Sequence, residues 1–376
     1  MNMGSKSITM ALLLVTLFLI SMVTFHPASV KAKSRTLVVP DQCPTIQGAI
    51  DKANYGDTIY VKNGVYHEEL TLYKPVNLIG ESPQNTVIDG GNIGDVIQAT
   101  GICNIAISGF TIENAGTSKW TGQGFPDSCI YLLDCANVSV TNNYIREATV
   151  GLLPYASSAL NCQNNTVTDT TTMGMLFYSC ENSTISDSQF YDCGIIGAHL
   201  DGNSSGCKIE NNYIANCDEG IEIERSKGNL VSQNSLFDNN MGMGFHNDTG
   251  NLMQFCTVEN NSIGIAFLQA NGNTIYCNSF IDNKKQVDLS FNTNLTSSSN
   301  WDNGTVGNYW SDYNGQGTYV INENNVDHHP LTQQVNISPT FSPTIPELTP
   351  IAIVSLLLSV FFVAVMVRHR KTANSK

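Results

Sequence analysis

The chain has 376 residues and carries 32 acidic against 18 basic side chains, a formal charge of −14. That balance argues against nucleic acid as a partner, because the phosphate backbone is itself anionic. An acidic surface suits a protein kept soluble outside the cell, or one that binds cations.

At the N-terminus, residues 10–25 form an apolar run behind Lys6, and Val30-Lys31-Ala32 offers a small-residue cleavage site. Residues 1–32 therefore read as a secretory signal peptide, with an uncleaved anchor as the alternative. Next, Ile46, Ala49, Ile50 and Ala53 fall at i, i+3, i+4 and i+7, the pattern of a short amphipathic helix. Gly56 to Val61 then starts the first strands.

From about Asn137 to Leu289 one apolar position recurs: Ile145, Val167, Phe190, Ile214, Leu236, Val258 and Phe280. Subtracting the residue numbers gives spacings of 22, 23, 24, 22, 22 and 22. A glycine follows each of the first six by six or seven residues: Gly151, Gly174, Gly197, Gly220, Gly242 and Gly264. A fixed period of this length marks a solenoid, in which each repeat buries its apolar side by stacking on its neighbours. Apolar and polar residues alternate around each key position, as in Gly220-Ile221-Glu222-Ile223-Glu224, so the repeats are strands rather than helices. The expected fold is all-β: a single-stranded right-handed parallel β-helix, one coil per 22–24 residues. The helix at Thr45–Ala53 would cap its open end. Asn and Gly between the strands suit tight turns with positive φ. Asn143, Asn165, Asn212, Asn234 and Asn278, each two residues before a key position, are expected to stack and hydrogen-bond along the axis.

Between Ile112 and Ile145 the chain runs about ten residues beyond one coil. The excess falls on Thr117–Asp127, a loop carrying Trp120 and Phe125. Such insertions in solenoids often wall a binding face, although an ordinary tolerated insertion reads the same way. Beyond the repeats come a closing segment (300–332) and a Thr/Pro-rich linker (333–349). Residues 350–367 are apolar and uncharged and just long enough for a transmembrane helix, and a basic tail follows (368–376). The basic tail predicts a cytoplasmic C-terminus and an extracellular ectodomain over residues 36–332, in a single-pass protein of the cell membrane.

Three stretches carry a family resemblance. Residues 45–90 (TIQGAIDKANYGDTIYVKNGVYHEELTLYKPVNLIGESPQNTVIDG) resemble the N-terminal cap and first coils of the pectin-lyase-like right-handed β-helix superfamily. The later repeats look like the NosD type, named for a periplasmic copper-binding protein. Trp301–Tyr313 (WDNGTVGNYWSDY) and Val326–Leu331 (VDHHPL) resemble the closing segment of NosD-like surface proteins of archaea. The resemblance implies the fold; for function it leaves lyases, hydrolases, epimerases and non-enzymes open. Gly64-Val65-Tyr66-His67-Glu68 matches the GxYxE element of pectin methylesterases, read here as structural. The catalytic stretches of that family are absent, as is the Gly-Asp-Asp-Cys of polygalacturonases.

Laying the coils in register points to one place. With each glycine as zero, positions +1 and +3 are apolar and face inward, so +2 and +4 face outward. The +4 column reads Tyr155, Tyr178, Asp201, Glu224, His246, Leu268; the +2 column reads Leu153, Leu176, His199, Glu222, Gly244, Ala266. Three consecutive coils would thus place His199, Asp201, Glu222, Glu224 and His246 on one exposed face, with Arg225 at the margin. Tyr155, Tyr178 and Trp120 offer flat surfaces to a sugar, with Glu222 and Arg225 as polar contacts. Asp201, Glu224, His199 and His246 are the catalytic candidates. His199, Glu222, Glu224 and His246 are the candidate ligands for a divalent cation, calcium or copper. Met175 and Met243, at +1, read as core.

Nine Asn-x-Ser/Thr sequons occur, at Asn137, Asn164, Asn182, Asn203, Asn247, Asn260, Asn294, Asn303 and Asn336. Export makes them candidate glycan sites. Export would also permit disulfides among the eleven cysteines. Most lie inside repeats, where a free thiol packs as a small hydrophobe. Cys193 and Cys217 should stack in adjacent coils, as a disulfide or as two thiols. The expectation is a cell-surface module, binding or structural, with carbohydrate or a cation as ligand. Alternatives are a polysaccharide-active enzyme (lyase, epimerase or hydrolase) and metal handling.

Overall fold

The structure is a computed structural model that describes residues 34–118, 125–290 and 298–335. Parallel strands stack coil upon coil. One face is a continuous sheet of eleven strands from Thr36–Val39 to Thr274–Tyr276, which makes about eleven turns. The other two faces join in a nineteen-stranded sheet, because Tyr144–Tyr155 and Thr166–Tyr178 run round the corner unbroken. The key positions pair as the period requires: Ile145 with Val167, Val167 with Phe190, Phe190 with Ile214, and on to Phe280. All seven are fully buried. The fold is the parallel β-helix expected, of the right-handed type. Among the described residues no helix is long and apolar enough to cross a membrane. The expected leader (1–32), linker and transmembrane segment (350–367) lie outside the described residues, apart from the linker's first three positions.

The corners explain the sequence periodicity. Asn143 donates to Asn165 Oδ1 at 3.2 Å, and Asn212 to Asn234 Oδ1 at 3.0 Å. Where the column holds Ser188 or Cys256 instead, backbone N–H groups carry the chain of bonds onward. Two further buried ladders, Asn229–Asn251–Asn273 and Asn239–Asn261–Asn283, do the same at the other corners. Each amide oxygen takes a backbone N–H that the bend has removed from the sheet, so those buried donors keep a partner. The residue before each member of the first ladder is left-handed: Asn142, Asn164, Asp187, Asn211, Gln233, Phe255 and Cys277 have φ of 50–57°. Asn and Asp tolerate that region best among residues with a Cβ.

The turn glycines Gly202, Gly206, Gly228, Gly250 and Gly272 have the expected positive φ, and the periodic glycines are a different case. None of the six has positive φ. They are required by space: a methyl on Gly151 would lie 2.5 Å from Gly174 O, and one on Gly220 would lie 2.6 Å from Gly242 O.

Both ends are closed. The helix Ile46–Lys52 buries Ile46, Ala49 and Ile50, and Thr45 caps it by accepting from Gly48 N. Glu68 adds a second cap, its two oxygens accepting from Ile46 N (2.8 Å) and Gln47 N (2.9 Å). The glutamate of the GVYHE element is therefore structural in this chain. At the far end Phe280, Trp310 and Tyr319 stack with centroids 4.5 and 4.3 Å apart. Trp310 Nε1 donates to the buried Asp327. All eleven cysteines are free thiols, and Cys193 and Cys217 meet in adjacent coils as thiols.

Candidate functional site

The site lies on the face built by the strands Ile196–Asp201, Glu219–Glu224 and Met241–His246. The residues at +1 and +3, such as Ile221, Ile223, Met243 and Phe245, are fully buried in the core. Alternation then turns the intervening side chains outward. Tyr178 pairs with Asp201, His199 with Glu222, Glu222 with Gly244 and Glu224 with His246. The five expected residues thus come together. They are not all exposed, however: His199, Asp201 and Glu222 are buried, and only Glu224 and His246 are half-exposed. Strands about 4.8 Å apart bring long side chains into lateral contact, so each covers its neighbour.

A network of charges links these groups. Glu222 accepts from His246 Nδ1 through one oxygen and lies 3.4 Å from His199 Nε2 through the other. Arg225, exposed at a left-handed corner, folds back to donate to Asp201 Oδ2 at 2.6 Å and to Glu224. Burial drives His199 below its ordinary pKa against the pull of Glu222 and Asp201. His246 moves upward: burial opposes it, but its bond to Glu222 and the surrounding carboxylates outweigh burial. Burial would raise Glu222, yet the bond from His246 and the neighbouring histidine charges hold it below the ordinary value. Glu224 is raised by burial and by Asp201. Neither ring nitrogen of His199 has a hydrogen-bond partner, although the residue is only 3% exposed. A buried polar atom left unpaired costs about 1–3 kcal/mol.

On the N-terminal side the face becomes aromatic. Tyr155 and Tyr178 lie with ring centroids 5.5 Å apart, and Phe125 sits 4.6 Å from Tyr155 and 5.8 Å from Tyr178. Phe125 comes from the inserted loop, whose ends are tied by Ser118 N donating to Asp127 at 2.8 Å. The insertion therefore does reach this face. Trp120 lies outside the described residues.

One residue escaped the sequence reading. Glu219 occupies position −1, as do Met173 and Met241, which sit just before a periodic glycine and so could be exposed; strict alternation assigns that position to the core. The chain bends at the periodic glycine, so −1 joins +2 and +4 outside. A small apolar cluster of Val150, Leu153 and Leu176, with Met173, Tyr155 and Tyr178 against it, shows the same three columns meeting two coils earlier. Glu219, Glu222 and His246 bring donor atoms within 4.8 Å of one another. Burial raises Glu219 to about 7, with Glu222 adding to the shift. One Glu219 oxygen, Oε2, is buried without a partner. The signal available in the sequence was the polar Glu219 in a column otherwise holding Val150, Met173, Ile196, Met241 and Ile263.

Residues 50–315 match the family profile described as "Periplasmic copper-binding protein (NosD)". The chain belongs to the NosD family. No curated protein matches the sequence. Among solved structures, the A-module of the Azotobacter vinelandii mannuronan C-5 epimerase AlgE6 is similar at TM-score 0.58 and 17% identity, covering 70% of this chain and 81% of that one. XylC, solved in complex with xylose, is similar at TM-score 0.58 and 13% identity, covering 68% and 69%. The polygalacturonase of Erwinia carotovora ssp. carotovora is similar at TM-score 0.57 and 15% identity, covering 81% and 96%. These likenesses show the shared fold.

The copper in the NosD description can be tested against the donors present. His199, Asp201 and Glu224 converge within 4.8 Å, but Arg225 already occupies two of them. Beside them, three donor side chains close over Gly244. A methyl there would lie 3.0 Å from Glu219 Oε2, 3.3 Å from Met241 Sδ and 3.4 Å from His246 Nε2. Carboxylate, thioether and imidazole around one point suit copper; calcium asks for six to eight oxygens. The donor types present in this NosD chain fit the metal of the family description at that point.

Proposed function

We propose that this protein is an exported, membrane-anchored NosD-family β-helix whose aromatic and acidic face binds carbohydrate. The observation that carries the reading is the continuity of that face. Phe125, Tyr155 and Tyr178 form an apolar platform that runs directly into Asp201, Glu224 and Arg225, since Tyr178 and Asp201 are paired neighbours. Aromatic faces take the apolar faces of sugar rings, and the charged groups beside them take hydroxyls, the usual composition of a ligand site. The solved structures named above include sugar-acting and sugar-bound proteins; at 13–17% identity they support the fold, and the reading rests on the residues. Asp201, Glu222 and Glu224 outnumber Arg225, which Asp201 and Glu224 already engage. Like-charge repulsion therefore favours a neutral glycan over a polyuronate.

Export agrees with the sequons. All seven described sequon asparagines are exposed, and six of them (Asn137, Asn164, Asn182, Asn203, Asn247 and Asn260) are left-handed corner residues. Asn294 and Asn336 lie outside the described residues.

Calorimetry of the full chain against neutral and uronate oligosaccharides tests the proposal. Neutral oligosaccharides should bind, and Tyr155→Ala with Tyr178→Ala should weaken binding at least tenfold. No binding to any glycan, or binding unaffected by the double substitution, overturns it. Release of new reducing ends or unsaturated products would convert the reading to that of an enzyme using Glu219, Glu224 or His246. Protease protection of the C-terminal tail in membrane vesicles tests the anchor.

A further inference from the structure

We infer that Asn203 carries an N-linked glycan that folds back onto Tyr178, so that a sugar of the chain's own covers the carbohydrate face. The inference rests on the carbohydrate reading and on export; the choice of Asn203 rests on the local geometry of its corner.

The corner that ends the site strand is one residue longer in this coil than in its neighbours. Tyr178-Ser179, Glu224-Arg225 and His246-Asn247 pass from position +4 straight to a left-handed corner residue. Asp201 is followed instead by Gly202 and only then by Asn203. The register marks Gly202 as the extra residue, because Ser179 N donates to Asp201 O and Asn203 N to Arg225 O. Gly202 has a φ of +66°, open to a residue without a Cβ. The Tyr178 ring lies over its backbone: a methyl on Gly202 would stand 2.7–2.9 Å from three ring carbons. Asp201 pins the turn, with Oδ1 accepting from Gly202 N and Oδ2 from Arg225. The insertion thus sets an exposed asparagine beside a ring of the aromatic platform.

Asn203-Ser204-Ser205 is a sequon. Ser204 is buried and donates to Asp201 O at 2.7 Å, which holds the turn while Asn203 faces solvent. Attachment needs a lipid-phosphate-linked oligosaccharide as donor. The Asn203 side-chain nitrogen loses a proton and bonds the anomeric carbon; the bond from that carbon to the phosphate oxygen breaks, and the lipid phosphate leaves with the electron pair. Nothing is oxidised or reduced. A sugar so placed cannot diffuse away, and a short tether gives it an effective concentration of about 1 mM. If the platform holds it with a dissociation constant of about 0.1 mM, it covers the face roughly nine-tenths of the time, and a free oligosaccharide binds roughly tenfold more weakly. Tyr178 offers its ring to an apolar sugar face. Asn164 is the natural control: its sequon stands at the corner between Asn161–Gln163 and the start of Thr166–Tyr178, off this face.

The test uses the full chain made in a host that N-glycosylates exported proteins, before and after enzymatic removal of glycans. Asn203→Gln, Ser205→Ala and Asn164→Gln are made beside it. Peptide mass spectrometry should find Asn203 occupied in the parent and bare in Ser205→Ala, where the asparagine remains. Nitration of Tyr178 by tetranitromethane, mapped the same way, should run at least threefold faster in the deglycosylated parent, in Asn203→Gln and in Ser205→Ala, but not in Asn164→Gln. Neutral oligosaccharides should bind those three uncovered forms about tenfold more tightly than the parent. A bare Asn203 in the parent overturns the inference, and so does Tyr178 nitration indifferent to the glycan. Oligosaccharide binding of equal strength in covered and uncovered forms overturns it as well. Tyr178 protected by the glycan while no form binds any oligosaccharide supports the folded-back glycan and sinks the carbohydrate reading instead. Should Asn203→Gln disturb the corner and lower the melting temperature, Ser205→Ala and the deglycosylated parent decide.

Discussion

Replacing Gly151 by alanine asks what the periodic glycines are for. The new methyl would lie 2.5 Å from Gly174 O and 2.8 Å from Val167 Cγ1. Carbon–oxygen contacts in sheets close to about 3.3 Å, so the two coils must part by roughly 0.8 Å. They cannot part freely, because the coils on either side are hydrogen-bonded at about 4.8 Å spacing. Overpacking of this kind costs about 1–3 kcal/mol, and each stretched inter-coil hydrogen bond adds about 1 kcal/mol. A total of about 3 kcal/mol is expected. Gly228→Ala is the comparison: its φ is +67° and no atom lies within 4 Å of the added methyl. There the cost is backbone strain alone, about 1–2 kcal/mol. At about 2–4 °C per kcal/mol for a unit of this size, Gly151→Ala should melt roughly 6–12 °C lower and Gly228→Ala roughly 2–8 °C lower. Circular dichroism melts of the two variants measure this. If Gly228→Ala is the more damaging, inter-coil space is not what requires the column.

The remaining expectations concern charges and caps. Asp248 is buried at a corner, accepting from Asn273 and Asn251, and burial raises it to about 7. A carboxyl near 3.9 when unfolded then holds more protons in the folded state between pH 4 and 7, so stability falls as pH rises through that window, by a few kcal/mol at most. Asp248→Ser, matching Ser226 one coil earlier, should flatten the fall in urea midpoint between pH 5 and 8; an unchanged slope contradicts the assignment. Glu68→Gln removes one of two acceptors from the start of the helix Ile46–Lys52 and should cost about 1 kcal/mol, seen as faster amide exchange over Ile46–Ala53. Equal exchange in the two proteins would show that Thr45 caps the helix alone. Arg225→Met strands the buried Asp201 and should cost about 2 kcal/mol, discounted because Arg225 itself is half exposed. Adding Asp201→Asn should recover most of that loss in a double-mutant cycle, and strictly additive effects would mean that the pair is uncoupled.

The solenoid was legible because its period is written in the core: seven apolar residues at 22–24 spacing, each stacking on the next. The interior asparagines were legible for the same reason, since a buried amide at a fixed offset has only its own copy to bond. What the pattern concealed was local. Simple alternation hid Glu219, whereas the bend at each periodic glycine turns the residue before it outward. Alternation also says which way a side chain starts but not what lands on it, so His199, Asp201 and Glu222 read as exposed and are buried. Arg225 closing over Asp201 depends on a left-handed corner at a non-glycine residue, which has no reliable sequence signal. The glycine column shows the opposite failure: a residue usually explained by φ is here explained by a carbonyl 2.5–2.7 Å from where a methyl would be.

The same face also shows how a repeat accommodates a site. Two coils earlier the outward columns hold Leu153 and Leu176, and two coils later they hold Ala266 and Leu268; all but Leu268 are buried. Apolar side chains there cost nothing in unpaired polar groups. The coils between them bury a histidine with two unpartnered nitrogens and a glutamate with one unpartnered oxygen. In a solenoid each coil's stability is close to its own term plus contacts with two neighbours, so a local deficit is offset only by adjacent coils. Unbroken ladders, Asn229–Asn251–Asn273 and Asn239–Asn261–Asn283, run at the corners on either side of this face from the Glu219 coil into the coils that follow. The polar atoms left unpaired on the outer side are therefore most simply completed from outside the chain, by a ligand seated beside the aromatic platform.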